Sequence, residues 1–297
     1  MNYRHVYHAG NFADVFKHVV LLTLLRHLHK KPQPFCYLDT HAGSGRYLLS
    51  SPEAQRTLEY SQGIGRLYAA ADLPPLLADY VERVRGADAA NSADALLVYP
   101  GSPLLAQTML RPQDRAVLME LHPADAASLK ALFRGNRQVA GHAGNGYHGL
   151  KAFLPPPERR GLVLIDPPFE AADEFARLID GLRQAMGRWP TGMYAVWYPI
   201  KDRRTVQHFE KGLQDLGLDK LLLTELCLYP SDRPGRFNGC GMLLVNPPWQ
   251  HDALLQALLP QAVVAESNGW QAPDSTGTPE ATHGASRSLA SLQLAKP

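Results

Sequence analysis

The alternation of apolar and polar positions predicts an α/β protein. Residues 11–29 carry apolar side chains at helical spacing, and Asn11 precedes them as the predicted N-cap. Short apolar runs typical of buried strands follow, and most of them alternate with amphipathic helical stretches. Repeated strand–helix units form a mostly parallel sheet with helices on both faces. Counted along the chain, the patterns predict a seven-stranded sheet.

Three segments depart from this alternation and define the predicted domain organisation. The last two apolar runs, KLLLTELCLYP and GCGMLLVNPP, have no helix between them and predict an antiparallel hairpin at one edge. Residues 47–97 are amphipathic with little strand pattern, so we predict a helical subdomain inserted into a core formed by residues 1–46 and 98–270. Residues 271–297 are poor in bulky apolar side chains, and we expect a disordered tail.

Composition narrows the class of protein. The 297 residues carry a formal net charge of only +2, so contacts with nucleic acid would have to come from local patches. The 3 cysteines form no CxxC pair, which argues against a disulfide framework or a zinc knuckle and favours a reduced, cytosolic setting. No signal peptide pattern is present, and the early apolar run from Val19 to Leu25 is far shorter than the ~20 residues of a membrane span. We expect a soluble, cytoplasmic monomer.

Candidate binding residues follow the predicted strands, where doubly wound sheets bind ligands. A Gly-rich turn, HAGSG, follows the first strand, and its glycines let backbone approach a ligand closely. Glu120 ends a later strand and is placed to accept hydrogen bonds from two ribose hydroxyls, while Asn145 and Gly146 follow the next strand. Each signal alone also fits an ordinary turn or surface residue. Their order favours a nucleoside-bearing ligand, and neither GxGxxG nor a P-loop lysine is present.

The stretch DPPF, Asp166 to Phe169, ends the strongest strand pattern and has a chemical interpretation. Asp166 and the carbonyl of Pro167 can each accept an N–H of an exocyclic adenine amine, and Asp166 can take up the proton that methylation releases. The two prolines hold the loop rigid, and Phe169 offers a face on which an extruded base can stack. The alternative is plain turn chemistry. A competing NPPW stretch starts at Asn246, but an antiparallel last strand would place it at the opposite edge, as a strand terminator.

Several motifs in order resemble the RlmJ family, from about Asn2 to Trp249: YRHVYHAGNFADVFKH, LDTHAGSGRY, YPGSP, ELHP, RRGLVLIDPPFE, YAVWYP and NPPW. The resemblance implies a Rossmann-like S-adenosylmethionine methyltransferase that methylates adenine N6 in 23S ribosomal RNA of the large subunit. It also implies that Asp166 is catalytic. By position, the cofactor residues would be His18, His41, Ser102, Glu120, Asn145, Gly146 and Asp166, and Tyr3 would contact the RNA substrate. The chemistry of the DPPF stretch adds Pro167 and Phe169 as substrate residues.

Two positions depart from the family pattern. Asn145 stands where the family commonly has Asp, and we expect its carbonyl oxygen to accept from the adenine amine of the cofactor. Phe169 stands where many relatives have Tyr, so stacking is kept and any role of a phenol hydroxyl is excluded.

The sequence leaves rival functions and other sites to weigh. His5, His8 and His18 match no zinc spacing, and we expect no metal. The same two acceptors, Asp166 and the Pro167 carbonyl, would suit adenine in DNA or a glutamine amide in a protein. A catalytically silent RNA-binding relative is a further alternative. Phosphate contact needs basic side chains near the pocket. The candidates are Lys201, Arg203, Arg204, Arg233 and Arg236.

Overall fold

A computed structural model describes residues 4–228, 237–258 and 289–294 of the chain. Its strands are β1 (Cys36–Asp39), β2 (Arg46–Leu48), β3 (Val98–Pro100), β4 (Arg115–Glu120), β5 (Val139–Ala143), β6 (Gly161–Ile165), β7 (Met193–Ile200), β8 (Leu221–Cys227), β9 (Gly239–Val245) and β10 (Leu289–Leu294). Its helices are α1 (Phe12–His29), α2 (Pro52–Thr57), α3 (Glu59–Gln62), α4 (Ile64–Ala69), α5 (Pro75–Gly86), α6 (Ser102–Gln107), α7 (Pro123–Leu132), α8 (Gly146–Phe153), α9 (Glu174–Arg188) and α10 (Arg203–Gln214). Residues 251–258 are also helical.

The main sheet confirms the predicted α/β class. Its strand order is β10-β8-β9-β7-β6-β1-β4-β5, and the neighbours from β7 to β5 all pair in parallel. From β1 at the centre of the sheet, β4 and β5 follow on one side, and the chain then returns so that β6 lies on the other side of β1. This reversal is the topological switch point of a Rossmann-like sheet, where a crevice opens at the carboxyl ends of the strands.

The far side of the sheet contains the predicted hairpin. Strand β9 is antiparallel to both β7 and β8, so the hairpin joins the sheet through its second strand. Val245 pairs with Tyr194 at the start of β7, and Asn246 therefore lies at the opposite edge from Asp166. The Asn246 amide donates to the carbonyls of Pro190 at 2.8 Å and Gly192 at 2.7 Å. These contacts support the interpretation of NPPW as a strand terminator.

Helix α1 is buried on nearly every side, and this explains why apolar residues occupy so much of its surface. It packs against α5, α6 and the sheet, and Leu21, Leu24 and Leu25 are fully buried. Truncating one such leucine to alanine costs about 2–5 kcal/mol. The helix starts as predicted, since the Asn11 side chain accepts from the Asp14 N–H at 3.0 Å. Two charged side chains, Asp14 and Lys17, are buried in its first turns.

The remaining segments show where the sequence-based boundaries fall. Helices α2 to α5 lie between β2 and β3, which pair with each other in a separate antiparallel ribbon. Residues 289–294, which fall in the expected disordered tail, form β10 and pair with β8. The rest of the tail lies outside the described residues. Over the described part of the chain, the helices are too short or too polar to cross a membrane.

Candidate active site

The predicted site residues line one cavity of about 550 Å³ at the switch point. The residues brought together there are His18, His41, Ser102, Glu120, Asn145, Gly146, Asp166, Pro167 and Phe169. They come from six separate elements or loops, and only the convergence of strand ends places them around one space. Tyr3, the remaining predicted residue, lies outside the described residues.

Strand β1 ends in the buried carboxylate of Asp39, which fixes the direction in which the Ser102 hydroxyl donates its proton. The Oδ2 atom of Asp39 accepts the hydroxyls of Tyr37 and Ser102, both at 2.7 Å. Burial raises the pKa of Asp39 to about 6, although the two hydroxyls act in the opposite direction. Because its proton is donated to Asp39, the Ser102 hydroxyl can only accept from a ligand in the cavity.

Glu120 is held by backbone N–H groups at the end of β4. Its Oε2 accepts from Gly43 at 2.8 Å and its Oε1 from His122 at 2.7 Å. Burial raises the pKa of Glu120, while these N–H groups lower it. Gly43 has φ +61°, and a Cβ atom there would meet the Tyr47 hydroxyl at 2.2 Å. The turn therefore requires glycine to bring its N–H onto the carboxylate, whose remaining lone pairs suit a pair of ribose hydroxyls.

Asn145 is used differently from the sequence expectation. Its Oδ1 caps α8 by accepting from Tyr147 N–H at 2.8 Å and His148 N–H at 3.4 Å. The carbonyl oxygen expected to accept from an adenine amine is thus occupied by the helix, and the side-chain NH₂ is the group left for a ligand. Gly146 is needed for packing as well, because a Cβ atom there would lie 2.1 Å from the carbonyl oxygen of Thr40.

Both predicted cofactor histidines are neutral. Burial lowers the pKa of His18 to about 3 and that of His41 to about 4. His18 Nδ1 lies 2.8 Å from the Tyr99 hydroxyl, and His41 Nδ1 lies 2.8 Å from the Thr40 hydroxyl. Each ring is therefore oriented by a hydroxyl on one nitrogen, which leaves the other nitrogen for a ligand.

Asp166 is anchored by a lysine that sequence reasoning missed. Lys17 Nζ lies 2.5 Å from Asp166 Oδ2 and 2.8 Å from Asp14 Oδ1. Burial would lower the pKa of Lys17, but the two carboxylates hold it well above its usual range. Burial would likewise raise the pKa of Asp14, but His5 and Lys17 hold it well below the usual range. The hydrogen bond of Asp166 within the described residues goes through Oδ2, so Oδ1 is the oxygen available to an amine.

The lysine has a signal in the sequence, although it is an indirect one. Asp14 and Lys17 are three residues apart in a helix that is otherwise strongly apolar. A charged pair on the buried side of such a helix is costly unless a further partner is present. Here that partner is Asp166, 149 residues farther along the chain.

Phe169 completes the wall beside Asp166. Its backbone has φ +50°, a conformation that is strained for a bulky residue. The ring packs against Phe175, with centroids 4.8 Å apart, and against Trp197 at 5.8 Å. Pro167 is buried and Phe169 is half-buried, so one face of this aromatic cluster borders the cavity.

The basic candidates for phosphate contact differ in whether other side chains of the protein already engage them. Arg203 is engaged by Glu225, at 2.6 Å, and by Glu210, at 2.9 Å, which makes it a structural residue. Lys201 lines the cavity and is exposed, as phosphate contact requires. Arg233 and Arg236 lie outside the described residues. Among residues 4–228 and 237–258 we found no group of three or more His, Cys, Asp or Glu side chains that could hold a metal ion.

Comparison with known proteins places this chain in a family. The sequence model described as "Ribosomal RNA large subunit methyltransferase D, RlmJ" matches residues 32–273. The Ribosomal RNA large subunit methyltransferase J of Haemophilus influenzae is 42% identical over 272 residues, which cover 91% of this chain and 96% of the relative. The Escherichia coli protein of the same name is 42% identical over 261 residues, covering 88% and 92%.

A solved structure agrees with the sequence comparisons. The crystal structure of a Legionella pneumophila protein of family DUF519 superposes with a TM-score of 0.82 at 32% identity, and 97% of this chain and 98% of that chain are covered. The family match extends through β1, β4, β6 and the DPPF loop, which supply most of the predicted cavity residues, whereas α1, which carries His18, precedes the matched range. The chain belongs to the RlmJ family.

Proposed function

We propose that the protein transfers the methyl group of S-adenosylmethionine to N6 of one adenine in 23S ribosomal RNA. The observation that carries the proposal is the position of Asp166. The Lys17 ammonium fixes one oxygen of its carboxylate, and the carboxylate lies on the same cavity wall as Pro167 and Phe169. The names of the two curated relatives, both ribosomal RNA large subunit methyltransferases, support the choice of RNA as substrate.

The polar groups of the cavity fit S-adenosylmethionine. Glu120 would accept the ribose hydroxyls, and the Asn145 NH₂ would reach an acceptor nitrogen of the adenine ring. Ser102, whose proton is already donated to Asp39, would accept from the ammonium of the amino-acid end. The buried Nε2 of His18 has no hydrogen-bond partner within the described part of the chain, and it would meet the carboxylate of that end. When bound, the cofactor would supply a methyl group on a sulfonium, and the neutral thioether would be the leaving group.

The chain's own residues would position and activate the substrate amine. Asp166 Oδ1 and the carbonyl oxygen of Pro167 would each accept one N–H of the adenine amine, which turns the nitrogen lone pair toward the methyl group. Phe169 would stack on the base after it leaves its RNA fold, a contact worth about 1–3 kcal/mol. After transfer the nitrogen must lose one proton, and Asp166 is the group in contact with it. No covalent intermediate with the enzyme and no metal is required.

We further propose that the protein acts as a monomer in the cytoplasm. One chain supplies the cavity residues named above, which supports a monomer, and a ribosomal RNA substrate supports the compartment. Light scattering at micromolar concentration tests the first point directly. A dimer of defined mass would contradict it without affecting the chemistry.

Mapping the methyl group in RNA tests the function. We expect 23S ribosomal RNA from cells lacking this protein to miss one N6-methyladenine, located by mass spectrometry of nuclease fragments. Purified protein and S-adenosylmethionine should restore the mass of that fragment. Adenine-containing DNA and a glutamine-bearing protein serve as control substrates. Transfer to either control in preference to the RNA would contradict the proposal in favour of the DNA or protein alternative.

A further inference from the structure

A buried chain of three hydrogen-bonding side chains leads from helix α5 to the cavity. The Tyr80 hydroxyl lies 2.9 Å from the Tyr99 hydroxyl, which lies 2.8 Å from His18 Nδ1. Tyr80 and Tyr99 are fully buried and His18 is 1% exposed. Tyr80 belongs to the segment between β2 and β3, Tyr99 to β3 itself, and His18 to α1. The chain therefore connects that segment to the pocket wall.

The direction of these hydrogen bonds follows from the chemistry of the groups. His18 is neutral, so only one of its ring nitrogens carries a proton. The unprotonated nitrogen of a neutral imidazole is a stronger base than a phenol oxygen, and a phenol is a good donor. The stronger pairing has Tyr99 donating to Nδ1, and its own oxygen then accepts from Tyr80. The proton of His18 is then on Nε2.

Nε2 is the ring nitrogen that has no partner in the described part of the chain, and His18 lines the cavity. A buried N–H without an acceptor is unfavourable, and a ligand that brings an anionic oxygen relieves the deficit. The opposite tautomer would present a lone pair at the same place and would repel a carboxylate.

We infer that Tyr80 is a positioning residue, which acts through Tyr99 to hold His18 in the tautomer that donates from Nε2 to the carboxylate of S-adenosylmethionine. The inference rests on the proposed function, since it needs a cofactor with an amino-acid end. It makes α5 part of the cofactor-recognition machinery although α5 supplies none of the residues that line the cavity.

The test compares two ligands on three phenylalanine variants. S-adenosylhomocysteine carries the amino-acid end, whereas 5′-methylthioadenosine lacks it and keeps the nucleoside. Calorimetry should give weaker S-adenosylhomocysteine binding for Tyr80→Phe and Tyr99→Phe, by about 3- to 10-fold for each lost neutral hydrogen bond, and binding of 5′-methylthioadenosine within about twofold of wild type. In transfer assays, KM for S-adenosylmethionine should rise by the same factor while kcat changes little.

Tyr194→Phe is the matched control. Tyr194 is also fully buried, and its hydroxyl donates to the carbonyls of Ala185 at 3.1 Å and Trp189 at 2.9 Å, away from the cavity. This variant should lose thermal stability as the other two do, but it should bind both ligands like wild type. A loss of affinity common to all three variants would reduce the effect to general destabilisation and would overturn the inference.

A spectroscopic measurement tests the tautomer itself. Protein labelled with ¹⁵N-histidine, with the His18 signals assigned by comparison with His18→Gln, should show protonated Nε2 and unprotonated Nδ1 in wild type. Tyr99→Phe should change that pattern. Protonated Nδ1 in the wild-type protein, or unchanged S-adenosylhomocysteine affinity in Tyr80→Phe, would refute the role of Tyr80. Failure of the wild-type protein to bind S-adenosylhomocysteine would instead refute the proposed function.

Discussion

Replacing Lys17 by methionine tests whether the buried ammonium is what holds Asp166. The substitution keeps an unbranched apolar chain and removes the positive charge from between two carboxylates. The side chains of Lys17 and Asp14 are 5% and 3% exposed, and that of Asp166 is 17% exposed, so solvent screening is weak. Removing one partner of a buried ion pair costs about 3–5 kcal/mol, because the other charge stays uncompensated. At about 2–4 °C for each kcal/mol, Tm should fall by roughly 6–20 °C.

The effect of Lys17→Met should depend on pH in a defined direction. In wild type the pKa of Asp14 is held well below its ordinary value of 3.8. A depressed carboxyl pKa contributes stability above about pH 4, and this contribution is lost as the pH falls through the folded value. The stability gap between wild type and Lys17→Met should therefore be widest near neutral pH and should narrow below about pH 4.

The assay is differential scanning calorimetry across this pH range, combined with methyl transfer. Lys151→Met is the matched control, because Lys151 is exposed on α8 and its loss should stay within about 0.5 kcal/mol. Adding Asp14→Asn to Lys17→Met should recover part of the stability but not the activity, since Asp166 Oδ2 would still lack its donor. A Tm of Lys17→Met equal to that of the control, or a gap that does not change with pH, would refute the reasoning.

Three further predictions concern Asp39, Phe169 and Asn246. Because burial raises the pKa of Asp39 to about 6, the folded state holds the Asp39 proton more tightly than the unfolded state does. Asp39 should therefore lower the free energy of unfolding by up to about 3 kcal/mol as the pH rises from about 4 to 6. Calorimetry of Asp39→Asn should show a flatter dependence of stability on pH, and an unchanged dependence would contradict the prediction. Phe169→Tyr should keep near-normal kcat/KM with RNA, whereas Phe169→Ala should lose about 5- to 150-fold through lost stacking; equal activity of the two variants would exclude a stacking role. Asn246→Ala should lose about 1–3 kcal/mol of stability in urea titrations, because two hydrogen bonds to backbone carbonyls disappear, and its kcat should not change. A lower kcat at unchanged stability would instead make NPPW a catalytic candidate.

The sequence predicted most of the sheet because its strands are short, apolar and separated by helical patterns. It also predicted that the candidate residues would lie close together, since the carboxyl ends of parallel strands meet at one edge whatever the side chains are. The pairing of residues 289–294 with β8 was not predicted. That contact joins segments more than 60 residues apart, and the pattern of one short run does not identify its partner strand.

Details of side-chain polarity were less accessible to sequence reasoning. The Asn145 carbonyl was expected to face a ligand, but it caps α8, because a polar residue before a helix competes for the free N–H groups of the first turn. Lys17 was missed because its partner Asp166 comes from a distant loop. Arg203 was one candidate for phosphate contact, but Glu225 and Glu210 engage it in the folded chain. In each case a tertiary contact decides which atoms remain for a ligand.

A single-turnover methyl-transfer experiment with Asp166→Ala tests the central claim most directly. Enzyme saturated with labelled S-adenosylmethionine is mixed with 23S ribosomal RNA that lacks the modification, and the rate of N6-methyladenine formation is measured for wild type and variant at equal cofactor occupancy. We expect Asp166→Ala still to bind the cofactor but, at equal occupancy, to transfer the methyl group about 10²- to 10⁴-fold more slowly. A variant that methylates the same adenine at a near-normal rate would contradict it.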